Sequence, residues 1–336
     1  MRARSTTVPD TSVVESEPIA PLGPLRPGTV FGGRYRVLRH VASGGMGSVY
    51  EVLHLETQRR RALKVMHPHL FRSHELRERF KREARIAADI HSEHIVDVSD
   101  AGVDEATDTP FLVMELLQGE ELGHRLERLG RLPAAEVVTV LSQVALALDK
   151  THAKSIVHRD LKPENLFVTH REDGSARVKI LDFGLAKVVA EGSHAAGTTG
   201  RVGTPLYMAP EQLRSGSRLT KAADIYAMGM MAYTLLVGSA YWAREAESHE
   251  DLFVFAVALA AGPLESAVDR AAAKGVELPP AFDAWFSRAT ALEVDRRFGS
   301  ASEAASALSE ALGIAPDKRA SLTASSSVKS SPSISS

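Results

Sequence analysis

Four short runs in the first third of the chain alternate apolar and polar positions: YRVLRHVA from Tyr35, SVYEVLHL from Ser48, RRALKVM from Arg60 and FLVMEL from Phe111. Period-two patterning rich in β-branched residues predicts strands. One helix interrupts them. Leu76, Phe80, Glu83, Ala87 and Ile90 recur at spacings of four and three, the signature of one helical face. After Gly119 the pattern changes to long helical periods, as in AAEVVTVLSQVALALDKTHA and SASEAASALSEALG. The fold class predicted is therefore α+β, with a small sheet-rich lobe over 34–116 and a larger, mainly helical lobe over 117–312. Residues 1–33 are rich in Pro, Ser, Thr and Gly without periodicity and read as a disordered lead-in. Serine dominates the end of the chain, so 313–336 reads as a disordered tail.

Ile225 to Ala243 carries no charge and approaches the length of a membrane-spanning helix. Gly229, Gly238, Ser239 and several tyrosines lower its apolarity, so a buried helix of a soluble protein is expected and no membrane span. Arg2 and Arg4 are not followed by an apolar segment, so no export signal is expected and the location predicted is cytoplasmic. The 336 residues hold 40 Lys+Arg against 42 Asp+Glu, and a formal net charge of -2 gives no reason to expect nucleic acid as partner. The absence of cysteine excludes disulfides, zinc-thiolate sites and thiol nucleophiles. His67, His69 and His74 have no clustered acid to complete a coordination set, and no metal is expected there.

Three segments could carry chemistry. Ala42 to Val49 (ASGGMGSV) lies between two predicted strands, and its glycines would let a hairpin close over a ligand and offer backbone N–H groups to phosphate. A plain hairpin turn reads the same segment equally well. Lys64 shares a strand face with Ala62 and Met66, a place where a cation needs an anion. Glu83, inside the apolar stripe of the helix, is the candidate partner, although a stripe-edge Glu reaching solvent would look the same. The third segment is His158-Arg159-Asp160-Leu161-Lys162-Pro163-Glu164-Asn165, followed by Leu181-Asp182-Phe183-Gly184. A hairpin with an Asp173-Gly174 turn separates the two, and pairing centred on that turn would set Asn165 opposite Asp182. Two oxygen ligands converging there suit Mg²⁺, with Asp160 beside them free to act as a base.

In order and spacing these motifs, together with Ala209-Pro210-Glu211, resemble the eukaryotic-type (Hanks-type) bacterial serine/threonine protein kinases over about residues 34–312. The resemblance implies a bilobal protein-kinase fold and transfer of the ATP γ-phosphate to Ser or Thr hydroxyls of protein substrates. In that reading Lys64 holds the α- and β-phosphates and pairs with Glu83, Asn165 and Asp182 bind Mg²⁺ (with Mn²⁺ as a substitute), Asp160 accepts the hydroxyl proton, and Lys162 neutralises the γ-phosphoryl charge. The glycine loop contributes Gly44 and Gly47. Val41, Val49, Ala62, Met114 and Leu166 would sandwich adenine, Glu115 and Leu117 would bond it from the hinge, and Glu121 would contact ribose. Thr198 and Thr199 fall where related kinases autophosphorylate, a phosphate there could pair with Arg159, and Thr204 would bond near Asp160 and Lys162. Autophosphorylation would use a kinase–kinase dimer. By the same resemblance Asp224 would cap the backbone near His158 and Arg159, and Arg297 would pair with Glu211.

Ala42 stands where the family's first loop glycine usually is, which an extended backbone would tolerate. Glu293-Val294 replaces a common Asp-Pro before Arg297. The alternative reading is a catalytically silent pseudokinase scaffold. Such proteins often lose the Lys or one of the two Asp, and here Lys64, Asp160 and Asp182 are all present. A small-molecule phosphotransferase would not need the Ala209-Pro210-Glu211 segment.

Overall fold

The alternating runs pair into a single sheet. The structure, a computed structural model, describes residues 24–71, 73–182, 205–214, 219–248 and 252–315. Strands β1 (Val30–Phe31), β2 (Tyr35–Gly44), β3 (Gly47–His54), β4 (Arg60–Met66), β5 (Val98–Asp104) and β6 (Thr109–Glu115) form an antiparallel sheet in the order β1-β2-β3-β4-β6-β5. All four predicted runs are strands of it. β5 escapes the pattern because, as an edge strand, it is only half-buried and carries Ser99, Asp100 and Gly102 among its apolar residues.

Both faces of β4 are covered. Leu63 and Val65 point into a cluster with Tyr35, Val52, Phe111 and Val113, while Ala62 and Met66 point into another with Phe80, Ala84, Leu112 and Met114. Helix α1 (His74–Ala88) supplies Phe80 and Ala84 and so covers the face that carries Lys64. Residues 24–33 correct the expected lead-in. Leu25 and Phe31 are buried in the first cluster, the Leu25 N–H donates to Tyr50 Oη at 3.2 Å, and Phe31 meets Phe111 edge-on at 5.2 Å. An apolar sheet face needs a cover, and this stretch is part of it.

The larger lobe begins with a small sheet, β7 (Glu120–Glu121), β8 (Leu166–His170) and β9 (Ala176–Ile180). Its helices are α2 (Leu122–Leu129), α3 (Ala134–Ala153), α4 (Ala222–Val237), α5 (Ala243–Ser248), α6 (Leu252–Ala261), α7 (Ala267–Ala272), α8 (Ala281–Ala289) and α9 (Ala301–Ala311). The uncharged stretch from Ile225 forms most of α4, every residue of which is buried. Among the described residues no helix is long and apolar enough to cross a membrane. Ser300 caps α9 by accepting from the Glu303 N–H at 3.0 Å, and Asp149 of α3 accepts from the Ala301 and Ser302 N–H groups at 2.9 and 3.1 Å.

The β8–β9 hairpin is shifted by one residue from the expected register. Leu166 pairs with Ile180, Arg171 N–H donates to Ser175 O, and the loop holds three residues ending in Gly174 at φ 80°. A three-residue loop with glycine in the left-handed region replaces the two-residue Asp173-Gly174 turn. Asn165 consequently faces Leu181, whose N–H donates to Asn165 O at 2.8 Å, and Asp182 lies one residue beyond.

The two lobes are joined by main chain as well as by the connection after β6. Ile180 N–H donates to His94 O at 2.9 Å, and Val96 N–H donates to Ile180 O at 3.0 Å. Deeper in the large lobe the Arg297 guanidinium, wholly buried, makes paired bonds of 2.7 and 2.9 Å to the Glu211 carboxylate. It also donates to the Ala222 and Ala291 carbonyls at 2.8 Å and lies 5.1 Å from the Tyr226 ring centroid. Removing one member of such a buried pair leaves an uncompensated charge, so Arg297→Leu is expected to lower the unfolding free energy by about 3–5 kcal/mol. Chemical denaturation followed by circular dichroism measures it.

Candidate active site

Asp224, in the first turn of α4 and 1% exposed, holds the segment on which the site is built. Its Oδ2 accepts from the His158 N–H and its Oδ1 from the Arg159 N–H, each at 2.9 Å. The buried His158 ring donates from Nε2 to Leu181 O at 2.9 Å, which ties this loop to the strand end leading to Asp182. Arg159 (φ 72°) and Asp182 (φ 59°) both take left-handed backbone, which is unfavourable for residues other than glycine and persists where surrounding bonds over-determine it.

Asp160 follows Arg159 and is gripped from two sides. Lys162 Nζ lies 2.9 Å from Oδ2 and 3.1 Å from Oδ1, and Asn165 Nδ2 donates to Oδ2 at 3.0 Å and to the Asp160 carbonyl at 2.6 Å. With its nitrogen so used, Asn165 keeps its amide oxygen for another partner. Asp182 Oδ2 receives Lys64 Nζ at 2.5 Å, a bond between the lobes spanning 118 residues of sequence. This corrects the expected Lys64–Glu83 pair. A buried ammonium needs one close carboxylate; Asp182 supplies it, and Glu83 contacts Arg82 Nη2 at 3.9 Å.

A cavity of about 710 Å³ opens between the lobes, a volume ordinary for a small-molecule site. Val41, Gly44, Gly47, Val49, Ala62, Lys64, Met114, Glu115, Leu117, Glu121, Arg159, Asp160, Lys162, Asn165 and Asp182 all line it. Two expected residues do not. Leu166 is fully buried in the core of the large lobe, and Phe167 takes the place in the cavity wall. Successive residues of a strand face opposite ways, so counting one further along β8 would have found it. Glu83 stands on α1 away from the wall. Thr198, Thr199 and Thr204 lie outside the described residues.

The roof is the β2–β3 hairpin, where Gly44 pairs with Gly47. A Cβ on Gly47 would lie 2.2 Å from Val65 O and 2.9 Å from Met66 Cα, so only glycine lets β3 approach β4 this closely. Nothing lies within 4 Å of a Cβ at Gly44. Ala42 sits in β2 without positive φ, so alanine is accommodated there.

Glu115, at the end of β6, uses its carboxylate to accept from the Asp97 N–H at 2.8 Å and to bind Lys179 of β9, while its own N–H donates to Asp97 O at 2.9 Å. Burial raises the Glu121 carboxyl above its ordinary range, and the charges of Glu164 and Glu127 push the same way. For a metal, the site offers the Asn165 amide oxygen and the Asp182 carboxylate, both hard oxygen donors. Among the described residues no group of three His, Asp or Glu could enclose an ion. Two protein oxygens fit a small divalent cation that keeps water and phosphate oxygens as its remaining ligands.

The chain that forms this cleft is similar to known proteins. The protein kinase domain model matches residues 35–330. The chain belongs to the protein kinase domain family. It is 44% identical over 206 residues to serine/threonine-protein kinase Pkn1 of Myxococcus xanthus, covering 61% of this chain and 29% of that protein. With serine/threonine-protein kinase PknH of Mycobacterium bovis it shares 35% identity over 288 residues, 85% of this chain and 45% of that protein. The chain thus spans less than half the length of these two curated relatives. A crystal structure of the Mycobacterium tuberculosis PknI kinase domain superposes with a TM-score of 0.65 at 29% identity, covering 87% of this chain and 100% of that one. The kinase fold, with an antiparallel sheet lobe and a helical lobe, is the architecture described above. The family match extends to residue 330, past the 312 expected as the end of the folded part.

Two outcomes follow from the geometry of the kinase cleft. Gly47→Ala is expected to force β3 away from β4 and lower the melting temperature, while Gly44→Ala leaves it unchanged; thermal unfolding of the two variants compares them. The folded state also holds the Glu121 proton to higher pH than the unfolded chain does. Stability therefore falls as pH rises from the ordinary glutamate range through the raised value, and Glu121→Gln flattens that segment of a stability–pH curve.

Proposed function

We propose that this protein is a non-specific serine/threonine protein kinase that transfers the γ-phosphate of ATP to Ser or Thr hydroxyls of proteins. The observation that carries the reading is the meeting in one cavity of Lys64, Asp160, Lys162, Asn165 and Asp182, drawn from both lobes. Glycine-loop N–H groups and Lys64 bind the phosphates, and Val41, Val49, Ala62, Met114 and Phe167 enclose the base, with backbone atoms of Glu115 and Leu117 beside it. Asp160 orients the acceptor hydroxyl and takes its proton, while Lys162 balances charge on the transferred group. Catalysis of this kind is positioning and electrostatics more than covalent chemistry.

Asn165 and Asp182 would hold Mg²⁺, with Mn²⁺ as a substitute; the bound ion neutralises charge on the phosphates. To bind nucleotide this way Lys64 and Asp182 must share their present bond with phosphate and metal. Autophosphorylation at Thr198 or Thr199 within a transient kinase–kinase dimer, with Arg159 receiving the phosphate, completes the reading. A cytoplasmic location belongs to it too.

Incubation of wild type and Asp160→Asn with labelled ATP, Mg²⁺ and a basic protein substrate tests it, with phosphosites mapped by mass spectrometry. Transfer by wild type is expected to fall at least about 100-fold in the variant, since general-base catalysis is worth roughly 10²–10⁴. Nucleotide binding should persist in both. Binding without transfer in either protein would favour the silent scaffold.

A further inference from the structure

The glycine roof is tied down from outside the cleft, and both ties end on one residue. His67 follows β4 directly, three residues beyond Lys64, and is not among the residues that line the cleft. Its backbone N–H donates to the Met46 carbonyl at 2.9 Å, and its ring Nε2 lies 3.1 Å from the Gly44 carbonyl. A carbonyl only accepts, so Nε2 carries the proton in that bond. Met46 itself packs against the cluster that holds Met66, Phe71 and Phe80. The tip of the hairpin is therefore fastened at two carbonyls and one side chain.

A trans peptide holds its C=O and N–H in opposite directions, so a bond that fixes the Gly44 carbonyl also fixes the Gly45 N–H, and the bond at Met46 likewise fixes the Gly47 N–H. These are loop amides of the kind that meet phosphate. Farther from the tip, His40 Nε2 lies 2.8 Å from Ser43 Oγ, and Ser43 Oγ lies 3.0 Å from Ser48 Oγ on the paired strand. Those bonds join β2 to β3. The His67 bonds instead join the tip to the strand that carries Lys64. Beside His67 a second cavity, of about 170 Å³, is bordered by Leu25, Ser48, Tyr50, Met66 and Pro68. It is about the size that takes one aromatic ring.

We propose that His67 is a positioning residue that latches the glycine roof to the Lys64 strand and so sets how tightly, and for how long, the cleft holds nucleotide. Nucleotide as the occupant rests on the kinase reading above; the latch itself does not. With the ring on Gly44 the roof is closed and its amides stay aimed. When the ring turns into the cavity beside it, the Gly44 carbonyl is released while the backbone bond at Met46 remains, and the roof opens from its β2 side.

The test uses the full chain as wild type, His67→Leu, His67→Gln and Ser48→Ala. Each is measured for dissociation of a fluorescent ADP, for KM with ATP, for phosphoryl transfer in a single turnover and, without nucleotide, for amide hydrogen exchange from Gly44 to Gly47. Leucine removes the donor of the ring, glutamine restores one at about the same point, and Ser48→Ala cuts a hairpin bond that the latch does not use. His67→Leu is expected to speed ADP release and raise KM about three- to tenfold, the range one hydrogen bond commands, with the single-turnover rate at saturating ATP changed less than about twofold. Its tip amides should exchange faster while Val49 to Val52 stay protected. His67→Gln and Ser48→Ala should both stay within about twofold of wild type.

Unchanged ADP release and tip exchange in folded His67→Leu would overturn the proposal. So would equal effects of leucine and glutamine, which would mark His67 as a packing residue, or an equal effect of Ser48→Ala, which would mark a general loosening of the hairpin. If His67→Leu does not fold, the wild-type ring decides: long-range hydrogen–nitrogen correlation at about pH 8, above the ordinary histidine range, should show Nε2–H, and Nδ1–H would overturn the latch. If wild type binds no nucleotide, the kinase reading fails, and tip exchange in His67→Leu still supports or overturns the latch.

Discussion

One buried carboxylate organises this molecule. Asp224 sits at the start of a helix whose every residue is buried, where the helix N-terminus favours negative charge and the surrounding core excludes water. An ionised group there is tolerable only if its oxygens are saturated, and the donors that saturate them are the backbone amides of His158 and Arg159 and the ring of His152. The cost of burying the charge is thereby converted into a fixed loop conformation. Everything the cleft does with Asp160, Lys162 and Asn165 depends on that loop holding still. The same helix start is tied from behind by Arg297, which bonds both the Ala222 carbonyl and Glu211.

The cleft has two halves of different mechanical character. Its floor is fixed by short bonds within the large lobe, whereas its roof is a hairpin whose tip, Gly44 to Gly47, has open space around Gly44 and Gly45. Among the described residues the links between the lobes include the Lys64–Asp182, Glu115–Lys179 and Arg171–Glu93 pairs, the bond from Lys154 to the Asp89 carbonyl and the backbone bonds around His94, Val96 and Ile180. The Lys64–Asp182 pair lies in the wall of the cleft and joins groups that nucleotide and metal would also engage, so it is the link with which ligand binding would compete.

Much of this was readable from residues alone, for physical reasons that differ by element. The central strands were legible because alternating runs rich in β-branched residues fit a pleated sheet, and α4 because its buried length after Asp224 is uncharged. The chemical groups were legible because Lys, Asp and Asn in apolar surroundings demand partners. What escaped were matters of one residue or one partner. A three-residue turn at Gly174 moved the hairpin register by one, and Phe167, not Leu166, reached the cleft. Lys64 chose between two carboxylates on distances that no pattern encodes. Leu25 and Phe31 looked like lead-in because a cover for a sheet face needs only a few apolar contacts, too sparse to show periodicity.

His152 and Gln212 were invisible for a different reason. A histidine near a helix end and a glutamine after Pro210-Glu211 are unremarkable in any sequence, and their meaning comes from what they touch across 72 and 53 residues, the Asp224 carboxylate and the Arg159 carbonyl. Both act on peptide groups or on a group that holds peptide groups, and main-chain geometry leaves no side-chain signature to read. Functional residues that bear charge toward a ligand announce themselves by being out of place; those that keep the backbone strained do not. A left-handed arginine before the candidate base is the visible trace of that second class. Its two flanking bonds explain how a conformation unfavourable by itself becomes the only one the fold permits.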